Sequence, residues 1–122
     1  MLDICQVPEW WIINVGTIRC NVTLLPGTTQ LQSGDIEGRL LSSGADCIIA
    51  NPETAAKVDS LDQARLNLKA KIIVGGSKVG WISWDSLYDG ASTSHEAVNT
   101  HKDDVMQVGG LVTGLLRVDI VF

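Results

Sequence analysis

The chain has 122 residues, of which 45% are hydrophobic and 19% are charged, and its net charge is −5. This composition is that of a globular domain and excludes an intrinsically disordered chain. The basic residues are scattered rather than grouped in a stripe, so the sequence predicts neither nucleic-acid binding nor affinity for an anionic membrane surface.

The first predicted helix begins at Pro8 and ends near Arg19. Proline suits the first helical position, because its missing N–H would have no partner there. The apolar residues of this helix lie on more than one side: Trp10, Trp11, Ile13, Val15 and Ile18. A helix of this kind is expected to be buried between other elements. We therefore predict that its two tryptophans are core residues rather than a platform for a ligand.

Short apolar strands alternate with the helices that follow. Apolar and β-branched runs predict strands at residues 21–25, 47–50 and 68–74. Between the first two strands, a short helix is expected to start with Ser33 as its N-cap. It should stop at Gly44, since glycine adopts the left-handed conformation that closes helices.

A further helix is predicted to start with Asn51 as its N-cap and Pro52 at its first position. Helical spacing continues from there to Leu61 and Arg65. The expected fold class is therefore α/β, with a partial, mostly parallel sheet and flanking helices.

The region after the third predicted strand is less regular. Residues 81–87 are expected to include a helical turn, with Trp81 and Trp84 as core residues. Residues 91–104 are polar and predict a loop.

No catalytic constellation stands out from residue types and spacing. Ser92 or Ser94 could be combined with His95 and Asp103 into a triad, but nothing places either serine on an exposed elbow or beside an oxyanion hole. The glycine-rich run at residues 109–114 lacks the Lys-Ser/Thr of a phosphate loop, and a flexible tail is predicted there.

The three cysteines, Cys5, Cys20 and Cys47, have no CxxC spacing. They are predicted to be buried, reduced thiols. A zinc site would need a fourth ligand, and both His95 and His101 lie far downstream, so the sequence predicts no metal site.

Neither end of the sequence predicts a targeting or membrane segment. Residues 1–5 lack the basic start and apolar run of a signal peptide, and no transit peptide is visible. The apolar stretch at residues 111–122 is interrupted by Arg117 and Asp119 and is shorter than the roughly 20 residues that span a bilayer. Residue patterns alone thus indicate an α/β domain without an assigned function.

A resemblance to a known family adds what these patterns lack. The run Gln6-Val7-Pro8-Glu9-Trp10-Trp11 resembles a signature of the medium-chain acyl-CoA synthetases, a branch of the adenylate-forming, AMP-binding enzymes. An arginine usually stands at the position of Gln6 in that family. Later stretches resemble the family in the same order: residues 26–31, 35–40, 43–49 and 71–74, then Gly80-Trp81 and Ala91-Ser92-Thr93 ahead of His95. The resemblance covers residues 6–106.

This resemblance implies a function for the full-length enzyme. The family joins a medium-chain or aromatic carboxylic acid to coenzyme A in two steps, through an acyl-adenylate formed from ATP with Mg²⁺. Its members are typically proteins of the mitochondrial matrix. They are several times longer than this chain, with a large N-terminal domain and a small mobile C-terminal domain.

The resemblance to the family stops shortly after Met106. The family's phosphate loop, rich in Thr, Ser and Gly, should begin within a few residues of Met106, and the run that follows here has no such loop. No catalytic, cofactor-binding or metal-binding residue is therefore carried over from the family. The expected organisation is a partial N-terminal domain of an AMP-binding enzyme at residues 1–107 and a tail without family resemblance at residues 108–122. Because a Gln-Val pair can be encoded by CAG-GT, the tail is expected to be translated intron or a wrong gene-model end.

Two hypotheses about function follow. The first is a partial medium-chain fatty acid–CoA ligase that is inactive alone, with an unpaired strand edge and an exposed apolar face that make it insoluble or molten. The alternative is a non-catalytic binding or regulatory α/β module, which would be soluble and fold cooperatively. The sequence predicts neither the acyl-chain preference nor the oligomeric state.

Overall fold

The computed structural model describes residues 7–108 and 118–121, in which helices pack on a sheet of short strands. The helices are α1 (Pro8–Arg19), α2 (Ser33–Ser43), α3 (Pro52–Asp59) and α4 (Trp84–Asp89). The strands are β1 (Thr23–Pro26), β2 (Cys47–Ala50), β3 (Ala70–Ile73), β4 (Ile82–Ser83) and β5 (Val118–Val121). This alternation confirms the predicted α/β fold. Residues 91–104 lie in a loop, as predicted.

The strands form one sheet in the order β1-β5-β2-β3-β4, and these pairings are all parallel. β5 lies between β1 and β2, with Thr23 opposite Val118 and Ile48 opposite Ile120. This strand was not predicted from the sequence. The glycine-rich run at residues 109–114, for which a flexible tail was predicted, lies outside the described residues.

The outer edge of β1 is partly covered by the chain that follows the loop. The Leu24 N–H donates to the Met106 carbonyl at 3.0 Å, and the Val108 N–H donates to the Leu24 carbonyl at 2.9 Å. Gln107 therefore forms an isolated parallel bridge with Leu24. The unpaired edge that was predicted for the sheet is thus shortened at β1.

Two of the helix ends follow the predicted chemistry closely. The Asn51 Oδ1 accepts a hydrogen bond from the Thr54 N–H at 2.8 Å, which caps α3 ahead of Pro52. α2 ends at Gly44, whose φ of 62° is left-handed and allows its N–H to bond the Leu40 carbonyl.

Two other expectations about helix ends were wrong. The N-cap of α2 is Gln32 rather than Ser33, because Gln32 and Asp35 form a reciprocal capping box. α3 ends at Asp59, so Leu61 and Arg65 lie beyond it despite their helical spacing. The Ser60 and Leu61 N–H groups still bond carbonyls of α3, so the chain turns away after the helix closes.

The core lies between β1, β2 and the helices that connect them. Leu24 and Leu25 are successive residues of β1, and each is only 1% exposed, so both faces of this strand are covered. Ile48 of β2 is fully buried, and α3, which packs on β2 and beside α2, contributes the fully buried Val58. These contacts give the centre of the chain a continuous apolar core.

The tryptophans divide between core and surface. Trp10 and Trp81 are buried and Trp84 packs against the core from a half-buried position, as predicted. Trp11 is 61% exposed, so its assignment to the core was wrong. Among the described residues, α1 packs on β1 and contacts the polar loop at its C-terminal end, and a further apolar side is exposed. The sequence had predicted a helix buried between elements.

Within the described ranges, none of the helices is long and apolar enough to cross a membrane. α1, at 12 residues, is about 18 Å long, whereas a bilayer core is roughly 30 Å thick.

Candidate functional site

The densest group of charges surrounds Asp59, at the last position of α3. Its carboxylate receives Lys71 Nζ at 2.9 Å and Lys78 Nζ at 2.8 Å. The Trp81 indole Nε1–H donates to both carboxylate oxygens at 3.0 Å. The Lys71 ammonium also lies 5.2 Å from the centre of the Trp81 ring, within the range of a cation–π contact. One carboxylate thus joins α3, β3 and the turn that leads into β4.

Partial burial by itself would raise the pKa of Asp59. Hydrogen bonds from Lys78, Lys71 and Trp81, together with the charge of Lys71, outweigh that effect and lower the pKa to about 2. A carboxylate this acidic, with both oxygens occupied by donors, is a poor general base at neutral pH. The arrangement is suited to holding α3, β3 and the turn before β4 together rather than to proton transfer.

The loop after β1 is fastened to α3 in a similar way. Lys57 Nζ donates to the Thr29 carbonyl at 2.9 Å and to the Leu31 carbonyl at 3.2 Å, and it pairs with Glu53 at 3.1 Å. This loop is the proline-glycine turn at residues 26–31 that carries part of the family resemblance. Lys57 therefore fixes the position of a family-like turn against the neighbouring helix.

A third group lies where α1 ends and the polar loop returns. The Cys20 thiol is 3.9 Å from His95 Nε2, and Arg19 Nη2 donates to the His95 carbonyl at 3.4 Å. The Val98 N–H donates to the Arg19 carbonyl at 2.9 Å. These contacts hold the loop against the C-terminal end of α1.

Beside this contact is an open cleft of about 210 Å³. It is lined by residues from the end of α1, from the turn before β1 and from the loop: Thr17, Ile18, Asn21, Val22, Thr100, His101, Lys102, Asp104, Val105 and Met106. The lining mixes apolar and polar side chains. The cleft is therefore a possible contact surface, and its chemistry indicates no reaction.

The residues of the candidate triad are not brought together. Ser92 Oγ hydrogen-bonds within its own turn, to the carbonyl and N–H of Ser94. His95 lies beside Cys20, while Asp103 pairs with His101 Nδ1 at 3.3 Å. These side chains are exposed, so no enclosed site surrounds them.

The prediction of buried cysteines has a mixed outcome. Cys20 is exposed and Cys47 is half-buried at the start of β2, so the expectation of buried thiols was wrong for Cys20. Cys5 lies outside the described residues. Among residues 7–108 and 118–121, no three His, Cys, Asp or Glu side chains are grouped so that they could hold a metal ion.

The Asp59 cluster was missed by sequence reasoning. One signal was available, because Lys71 stands within an otherwise apolar strand and a partly buried ammonium needs a partner. The partner of Lys71 could not be identified from the sequence, because Asp59 lies 12 residues before Lys71 and 22 residues before Trp81. The contact between Cys20 and His95 spans 75 residues and left no local signal.

The fold defines a class before any relative is considered. The parallel strands are joined by helices and form one sheet, in which some neighbouring strands are distant in sequence. This arrangement is part of an open α/β domain. In such domains, ligands are bound outside the carboxyl ends of the strands. The contacts around Asp59 and Cys20 hold helices, strands and loops together. The fold therefore identifies the class of domain but does not indicate a reaction.

Comparison with known proteins identifies the family. No family model matches the chain. It is 42% identical over 109 residues to the human mitochondrial acyl-coenzyme A synthetase ACSM3, a match that covers 88% of this chain and 19% of the relative. It is 40% identical over 104 residues to the rat mitochondrial acyl-coenzyme A synthetase ACSM4, with 84% and 18% covered. Human mitochondrial ACSM5 is 33% identical over 109 residues, with 88% and 19% covered.

The matched part of the chain is similar to mitochondrial acyl-coenzyme A synthetases, which confirms the resemblance that its sequence shows. It spans about a fifth of the length of the curated relatives that it matches.

Proposed function

We propose that this chain is a scaffold segment of an ATP-dependent acyl-CoA ligase for medium-chain or aromatic carboxylic acids. The observation that supports this most strongly is 42% identity over 109 residues to human ACSM3. The parallel sheet and the fastened turn at residues 26–31 agree with such a role, because they provide a rigid frame rather than a reactive group.

For the full-length enzyme, the proposed reaction has two steps. ATP would activate the carboxylate as an acyl-adenylate with release of pyrophosphate, and the CoA thiol would then displace AMP to give the thioester. The partners are a small carboxylic acid, ATP with Mg²⁺, and CoA. Because its relatives are mitochondrial synthetases, we propose that the full-length protein acts in mitochondria.

The described residues do not fit a bound ATP and its Mg²⁺. At the N-terminus of α3, the Asn51 side chain already occupies the Thr54 N–H, and the Asp59 carboxylate is held by two lysines and an indole. Adenylation needs free donors and a metal positioned around the transferring phosphorus. We therefore propose that this segment alone forms no acyl-adenylate, and we assign none of its residues to a catalytic step.

The test is a chimera of human ACSM3 in which the matching segment is replaced by residues 1–107 of this chain. We expect the chimera to form acyl-CoA from a medium-chain acid, ATP, Mg²⁺ and CoA, while the 122-residue chain forms none. Native ACSM3 and an ACSM3 variant that lacks the segment serve as the two controls. A chimera that unfolds cooperatively but makes no acyl-CoA would contradict the proposal.

The boundary within the chain is also a proposal. We propose that residues 1–107 are the enzyme-like segment and that residues 108–122, which contribute β5 to the sheet, are a tail without family resemblance. Transcripts that splice at the Gln107-Val108 codons into a Thr-Ser-Gly loop would support this boundary. Transcripts that run on to the codon of Phe122 would count against a gene-model error.

A second candidate function is favoured by one observation. β5 fills the position between β1 and β2, so the described sheet has no gap there. Such a sheet suits a non-catalytic binding or regulatory module that folds by itself. A single cooperative thermal transition of the purified chain would support self-sufficient folding. A broad transition with dye-accessible apolar surface would match the insoluble or molten species expected for the ligase fragment.

A further inference from the structure

One side of α1 is apolar and open to solvent. Trp10 and Ile13 are buried against the core, whereas Trp11 is 61% exposed and Val15 is 56% exposed. At 100° per residue, the stripe of Trp11, Val15 and Ile18 is centred more than a third of a turn around the helix from the buried side. Ile18 is 40% exposed, so the apolar stripe continues to the last turn of the helix.

The stripe runs into the cleft of about 210 Å³ at the end of α1. Ile18 belongs both to the stripe and to the lining of the cleft, and Val105 and Met106, which are themselves exposed, lie on the other side. A flat apolar stripe that leads into a concavity resembles the centre of a protein interface, where one anchoring side chain enters a pocket. We call Trp11, Val15, Ile18 and this cleft the α1 surface.

A second copy of the chain is a poor occupant for the α1 surface. The helix has 12 residues and is about 18 Å long, so the stripe alone is far smaller than an interface between separate chains. A stable interface between separate chains buries about 800 Å² on each partner. Two copies joined through this helix would also have to offset the loss of translational and rotational freedom.

A membrane surface is also a poor occupant. Helices that lie on membranes carry lysine and arginine on the side opposite their apolar face. α1 has a single basic residue, Arg19, together with the acidic Glu9, and the whole chain carries a net charge of −5. An anionic lipid surface would therefore repel it rather than attract it.

The remaining occupant is the part of the enzyme that lies outside this chain. The chain spans 19% of human ACSM3, so about four-fifths of a full-length relative is available to cover a surface. Packing within one polypeptide does not have to offset the entropy of association, so a small apolar stripe is sufficient. We propose that the α1 surface is an internal interface, which an apolar element of the remaining synthetase covers with a side chain seated in the cleft. This inference rests on the proposed function.

The experiment compares the reactivity of an introduced thiol at Val15 in two settings. Val15→Cys is made in the 122-residue chain and in the ACSM3 chimera, both with Cys5→Ser, and alkylation by a maleimide is followed by peptide mass spectrometry. Trypsin cleaves after Arg19 and so separates the thiol at position 15 from Cys20. Val79→Cys is the matched control, because Val79 is 99% exposed and far from α1 in sequence.

We expect the alkylation rate of Val15→Cys, relative to that of Val79→Cys, to be at least about tenfold lower in the chimera than in the chain. An unchanged ratio would overturn the proposal. So would a rate in the isolated chain that falls as its concentration rises, which would assign the surface to a second copy. Protection by phosphatidylserine-containing vesicles would assign it to a membrane and would also overturn the proposal.

A second pair of variants tests whether the covered surface matters for stability. Trp11→Ser should lower the unfolding midpoint of the chimera by about 5 °C or more and that of the isolated chain by about 1 °C or less. Equal shifts in the two proteins would contradict an interface with the rest of the enzyme. Acyl-CoA formation by the unsubstituted chimera is measured separately, so an inactive chimera with a protected Val15→Cys would count against the proposed function alone.

Discussion

α1 and α3 begin alike and end in different surroundings. Each has a proline at its first helical position and an acidic residue in its first turn. In α3, Ala55 and Val58 are fully buried, and the polar side is fastened by Lys57 and Asp59. α1 buries one side and leaves a second apolar side in solvent.

The difference shows that residues 7–108 and 118–121 complete the surroundings of α3 but leave an apolar side of α1 open. The contacts of α3 come from β2, from the turn after β1 and from the lysines near β3, all within the chain. Those of α1 come from β1 and, at its C-terminal end, from the loop around His95 and Val98. Apolar residues on a second side of α1 are the expected mark of a helix that packs against a further element.

The largest effect is expected from a cavity in the region around α3. Ile48→Ala should lower the free energy of unfolding by about 2–5 kcal/mol, because Ile48 is fully buried in the core and its removal leaves a void. The matched change on the open side of α1, Val15→Ala, should cost less than about 0.5 kcal/mol. Urea unfolding of the chain measures both, and similar losses for the two variants would break the comparison.

A smaller effect is expected from the carboxylate at the end of α3. Asp59→Asn should cost about 1–2 kcal/mol near neutral pH, because two lysines and an indole lose their anionic acceptor and the site is partly open to solvent. Asp89→Asn, at an exposed position of α4, is the control and should change stability by less than about 0.5 kcal/mol.

The pH dependence of the Asp59→Asn effect follows from the pKa of about 2 in the folded chain, against an ordinary value of 3.8. A lowered pKa means that ionised Asp59 stabilises the fold above about pH 4 and that this contribution is lost as the pH falls toward 2. The difference in stability between the unsubstituted chain and Asp59→Asn should therefore shrink over that window. A difference that stays constant from pH 5 to about pH 2 would show that the ion pairs do not carry the effect.

The smallest effect is expected to be a gain in stability. Thr54 Oγ1, on the inner side of α3, is buried and has no hydrogen-bond partner among the described residues. Thr54→Val keeps the branched shape and removes the unsatisfied hydroxyl, so it should raise the free energy of unfolding by up to about 1 kcal/mol. Thr23→Val is a useful contrast, because the Thr23 hydroxyl donates to the Val105 carbonyl at 3.1 Å and its loss should be neutral or unfavourable. A loss of stability in Thr54→Val would indicate that its hydroxyl has a partner in solution.

Local chemistry made much of the fold predictable. Pro8, Asn51 and Gly44 mark helix ends through backbone rules that act within a few residues, and the structure has all three in those roles. The strand at 47–50 followed from a continuous apolar run. Even the wrong N-cap of α2 was an error of one position, because both Gln32 and Ser33 can accept a hydrogen bond there.

Features that depend on distant partners were not predictable in the same way. Whether Trp11 is buried depends on what packs against the second side of α1, and helical spacing alone cannot specify that. β5 pairs with strands about 70 to 95 residues earlier in the chain, so no local pattern marked its position. The contact between Cys20 and His95 and the cluster around Asp59 are long-range in the same sense. The family was predictable because a short signature around Trp10 is specific without any knowledge of the fold.

Hydrogen exchange in the isolated chain and in the ACSM3 chimera tests most directly whether α1 depends on a partner that α3 does not need. In the isolated chain, the amides of α1 should exchange at least about tenfold faster than those of α3. In the chimera, the α1 amides should slow by about tenfold or more, while those of α3 change little. Equal protection of the two helices in the isolated chain, with no change at α1 in the chimera, would contradict the account.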